Sequence, residues 1–68
     1  MSKRYEVAKG YIIDCLIGDY MVSLKDAEEA VEKSRIKNLF EQNEDMAAHT
    51  SNEDYAEQIY NAFLKAKT

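Results

Sequence analysis

A chain of 68 residues has room for one small helical or mixed domain, residues 1–68, and no more. Folding at this size hides only about 60% of the unfolded surface, so a lone copy is marginally stable unless something else helps. One cysteine excludes an internal disulfide, and a net charge of −4 disfavours nucleic acid and anionic membranes as general partners.

The lone thiol fits a reducing compartment, so a cytoplasmic location is expected. Lys3 and Arg4 precede an apolar run, but Asp14 interrupts it and no small-residue cleavage site follows. Asp14 and Asp19 also break any apolar span of about 20 residues, which argues against a membrane segment. Five Tyr and two Phe argue against a disordered chain.

The first element is expected over residues 3–20. Tyr5, Ala8, Ile12, Cys15, Leu16 and Tyr20 recur at helical spacing, with Tyr11 widening the stripe on one side and Ile13 and Ile17 on the other. Gly10, Asp14 and Gly18 line up on the opposite face. Gly18 is read as loosening the helix end, with a close partner against the small residues as the alternative. A short link then favours an antiparallel neighbour.

Residues 22–49 are read as the hub of the fold. Ser23 is placed to cap a helix, Asp26 to reach back to it, and Val22 to pack on Ala27. Residues 26–42 lack Gly and Pro and are rich in Ala, Glu, Lys and Leu. Their apolar side chains change face, however. Leu24, Ala27, Ala30, Val31 and Ser34 share one arc, whereas Ile36, Leu39 and Phe40 share another, roughly 170° away at about 100° per residue. The helix therefore breaks within residues 34–37, or it is sandwiched between two partners.

Asn43, Glu44 and Asp45 read as a helix end, and Met46, Ala47 and Ala48 as a short extra turn. A last helix starts near Asn52, with Thr50–Glu53 and Ser51–Asp54 both at capping-box spacing. Its expected apolar face is Tyr55, Ala56, Ile59, Ala62, Phe63 and Ala66, with Tyr60 and Leu64 at the edge.

Chemical motifs are lacking. The chain contains no phosphate loop, Cys-ligand pair or nucleophile motif, so no catalysis, cofactor or small-molecule substrate is expected. His49 lies near Glu44, Asp45 and Glu53 in sequence, but without the spacing of a zinc or calcium site; a hydrogen-bonding or packing role is expected, and no metal. Cys15, on an apolar stripe, reads as a small hydrophobe rather than a nucleophile. Lys33, Arg35 and Lys37 form a basic cluster, diluted by Glu28, Glu29, Glu32 and Glu41 into an ordinary solvated face.

These features point to an all-α domain of three principal helices, the middle one divided near residues 34–37. The expected function is a small protein-interaction module with a protein partner or a homodimeric state. The alternative is a nucleic-acid-associated regulator using Lys33, Arg35 and Lys37. The first helix carries a broader apolar arc than one neighbour covers, so Ile13, Ile17, Tyr20, Tyr60 and Leu64 are the expected interface.

Overall fold

The computed structural model describes residues 3–67, which are helical almost throughout and include no strand. In chain order the helices are α1 (Lys3–Tyr20), α2 (Leu24–Lys33), α3 (Ile36–Gln42), α4 (Glu44–Ala48) and α5 (Asn52–Ile59). α5 runs on into a π-helical turn, Tyr60–Leu64, and a closing 3-10 turn, Lys65–Lys67. The expected division into three is thus finer in the structure, while the all-α class holds.

α1 is the spine. Its 18 residues span roughly 27 Å at about 1.5 Å each, most of the molecule's 32 Å length. α2, α3 and α5 all pack on it. It therefore holds the central place expected for residues 22–49, which wrap around it instead. Ile12 and Leu16 are fully buried in the seam.

The left-handed position after α1 is filled by Met21, at φ 58°, and not by a glycine. The Val22 amide then donates back to the Leu16 carbonyl at 3.1 Å, closing the helix end. Gly10 and Gly18 admit no close neighbour, because a β-carbon on either would meet nothing within 4 Å. Gly18 lies in the last turn of α1, which ends at Tyr20 as expected, and no described segment of the chain lies against either glycine.

α2 starts as its sequence dictates. The Ser23 hydroxyl accepts from the Asp26 amide at 3.2 Å, while Val22 and Ala27 are both buried. The helix stops at Lys33. The Ser34 hydroxyl turns back to donate to the Val31 carbonyl, and Arg35 takes the left-handed conformation at φ 63°. This single residue redirects the chain so that both apolar arcs reach one core. Ala27, Ala30 and Val31 are buried before the break, and Ile36 and Phe40 after it. Leu39, expected to turn inward with them, remains about half exposed.

Asn43 joins two helices. Its amide donates to the Leu39 carbonyl at 2.9 Å, ending α3, and its side chain accepts from the Met46 amide at 3.2 Å, opening α4. Glu44 and Asp45, expected to end a helix, instead form the first turn of α4, where carboxylates suit the positive end of the helix dipole. Ser51 caps α5 through the Asp54 amide at 3.1 Å, which selects Ser51–Asp54 from the two capping spacings.

Three rings tie the layers together. Phe40 meets Tyr5 edge-on at 5.9 Å and Tyr55 at 6.3 Å, joining α1, α3 and α5.

Candidate functional site

The π-helical turn decides which face of the last segment is left exposed. Its wider turn aligns residues five apart, which puts Leu64 beneath Ile59. Both are buried. A purely α-helical phase favours Ala62, Phe63 and Ala66 for the core, and the change of phase leaves these three exposed.

Phe63 thereby reaches the rim of a surface groove of 160 Å³ between α3 and the last helix. A second groove, of 290 Å³, continues from it along α3 and α4 to Met46. Leu39, Tyr55 and Gln58 line both. The surface this creates has Phe63 at one end, Leu39 in the middle and Met46 at the other, exposed by 36%, 49% and 66%. Among the described residues none that lines either groove is charged.

A separate hollow of 380 Å³ lies on the other side of Phe40, against Val7, Ala8 and Tyr11 of α1. It has a charged margin: Lys3 and Arg4 line it, and Arg4 pairs with Asp45 at 3.0 Å. Both partners of that pair are more than half exposed, so it adds little stability.

The five residues expected to form an interface differ in what the fold leaves exposed. Ile13 and Leu64 are buried in the core. Tyr20 and Tyr60 stack on each other with ring centroids 4.5 Å apart, each half-buried. Ile17 alone stays exposed, at 38%. The arc of α1, too broad for one neighbour, is covered from several directions by α2, α3 and α5, except at its flanks, where Tyr11 and Ile17 stay exposed. Leu39, Met46 and Phe63 are among the large apolar residues left exposed, together with Val7, Tyr11, Met21 and Leu24. Helical phase assigns Leu39 and Phe63 to the core, and Met46 lies where the periodicity fades.

The residues singled out for chemistry are likewise separate. His49 is exposed at the end of α4. Among the described residues no group of three or more His, Cys, Asp or Glu side chains is placed to hold a metal ion. The Cys15 thiol is half-buried, and its pKa is raised by burial and by the nearby carboxylates of Asp19, Glu53 and Asp14. It stays protonated near neutrality, a poor state for a nucleophile. Lys33, Arg35 and Lys37 are exposed around the α2–α3 corner. No described helix is long and apolar enough to cross a membrane. No family model, curated protein or solved structure matches the chain.

Proposed function

We propose that this chain is a small cytoplasmic protein-interaction module without catalytic chemistry of its own. The observation that supports it is the uncharged surface running from Phe63 through Leu39 to Met46. Large apolar side chains gathered at the surface are costly in water and mark contact sites. A charge-poor centre with Phe, Met and Tyr is also the composition of an interface core. Methionine suits such a surface because its flexible side chain adapts to a partner.

The test is affinity capture from the native cell with wild type and Leu39→Glu in parallel. A polypeptide retained by the wild type and lost by the variant upholds the reading. Identical recoveries, with Leu39→Glu as helical as the wild type, overturn use of this surface.

The second reading, a nucleic-acid-associated regulator, draws on Lys33, Arg35 and Lys37 standing exposed at one corner. Glu28, Glu29 and Glu32, exposed on the preceding helix, weaken its field. Heparin chromatography separates the two readings, since phosphate-type binding loosens steeply with salt. The interaction reading expects no retention at physiological salt.

A further inference from the structure

The geometry points to a ligand site in the hollow between α1 and the α4–α5 turn, one that takes a small amphipathic carboxylate. Such a ligand has an apolar body and a single negative end. The site lies apart from the Phe63–Leu39–Met46 surface and does not rest on the interaction reading.

Three parts of the chain build the hollow. Ala8 of α1 and Phe40 of α3 are buried and make its floor. Val7 and Tyr11, both more than half exposed, stand over the floor from α1. Ala48, Thr50 and Asn52 face them from the end of α4 and the start of α5. The volume of 380 Å³ falls in the range of small-ligand sites, about 300–1,000 Å³.

Charge selects the occupant. The chain carries a net charge of −4, and its acids line other hollows: Glu6 and Asp14 one, Asp26 and Glu29 with Lys33 another. Among the described residues, the charges lining this hollow are Lys3 and Arg4, both exposed. A ligand that enters with its apolar body inward takes that body out of water and keeps its negative end at the edge, beside two cations. The cost of burying an ion is avoided. Thr50 and Asn52, both half-buried, offer a hydroxyl and an amide to the same carboxylate.

The acids also limit the ligand's size. Val7 and Tyr11 line the neighbouring hollow as well, where they meet Glu6 and Asp14. A longer acidic chain running on over these two residues would meet like charge, and a compact ligand does not. Asp45 opposes an anion from the other side, but it already holds Arg4 at 3.0 Å. Both partners are well exposed, so the pair is weak and exchangeable. Lys3 forms no ion pair with a described residue and is the cation open to a ligand.

Two-dimensional NMR of the isotope-labelled full chain at low salt tests the site, with phenylbutyrate as probe and phenylbutylamine as its cationic counterpart. Phenylbutyrate should saturate with a Kd of roughly a millimolar or tighter, moving the amides of Val7, Ala8, Tyr11, Ala48 and Thr50. The amine should bind about tenfold more weakly or worse. Lys3→Gln should loosen phenylbutyrate about two- to fivefold, and Asp45→Asn, which frees Arg4, should tighten it by a similar factor. Ala48→Phe, at an exposed position, should fill the hollow and abolish binding while circular dichroism stays that of the wild type. Equal binding of the two probes, or shifts centred on another face, overturns the proposal. Unchanged affinity in both Lys3→Gln and Asp45→Asn does so too. Tighter binding of a short acidic peptide built around one phenylalanine would make the occupant a protein segment. Movement of the same amides on dilution without ligand would make it a second copy. Either result overturns the small ligand, and none of these outcomes bears on the Leu39 surface.

Discussion

The Tyr55 hydroxyl donates a hydrogen bond to the Ala47 carbonyl, and both residues are buried. The bond crosses the turn between α4 and α5, fixing a five-residue helix too short to persist alone. Tyr55→Phe keeps the ring packing but leaves the Ala47 carbonyl with its bond from the Thr50 amide at 3.4 Å. Urea denaturation should show a loss of roughly 0.5–1.5 kcal/mol. An unchanged midpoint would mean that the Tyr55 hydroxyl adds nothing to the bond from Thr50.

Phe40 is the ring between Tyr5 and Tyr55 and is almost fully buried. Phe40→Ala should cost about 3–5 kcal/mol, which approaches the whole stability of so small a domain. Loss of the cooperative thermal transition is the expected result, and a wild-type melting temperature would contradict the packing described.

Glycine and the left-handed backbone are mismatched in this chain, and exchanging them should stabilise it. Met21 and Arg35 occupy left-handed positions, whereas Gly10 and Gly18 sit in a helix with open space around them. Gly10→Ala and Gly18→Ala should each add about 0.5–1 kcal/mol. Arg35→Gly removes a steric strain of roughly 1–2 kcal/mol, offset in part by the greater freedom of glycine when unfolded. A fall in melting temperature for Gly10→Ala would show that a partner needs the space above it.

Alkaline pH should lower the stability of the fold through two groups, Cys15 and then Tyr5. Burial and neighbouring carboxylates raise the Cys15 pKa above its usual 9.0, and burial with Glu6, Glu32 and Glu41 raises that of Tyr5 above 10.0. The folded state holds both protons more tightly than the unfolded state does. Their contribution is complete below the unfolded values and is lost as pH rises through the folded ones. Stability should therefore begin to fall above about pH 9, and Cys15→Ala should delay the onset to the tyrosine range. A midpoint that stays constant from about pH 8 to about pH 11 would contradict this.

The turn at Arg35 was legible because Ile36 and Phe40 lie nearly opposite Ala27, Ala30 and Val31 on a straight helix. Only a break lets both sets share one core. Ser23 and Ser51 were legible as caps because capping is local chemistry. The π-helical turn was not. Ala62, Phe63 and Ala66 in one phase and Leu64 in the other are all apolar, so periodicity does not choose between them. The choice is made in three dimensions, where the turn packs against α2. The same limit applies to the residues expected at an interface. Counting faces on a helical wheel leaves Ile13, Tyr20, Tyr60 and Leu64 over, whereas the fold buries the first and last and stacks the other two.

The most direct measurement is two-dimensional NMR of the isotope-labelled chain as the unlabelled proteins of its native cell, freed of small molecules, are added in steps. Interaction through the uncharged surface predicts amide signals that shift or fade first at Leu39, Met46, Gln58 and Phe63. Resonances of Val7, Tyr11 and the Lys33–Lys37 corner should change least. Spectra that do not change, or changes confined to α1, would contradict it.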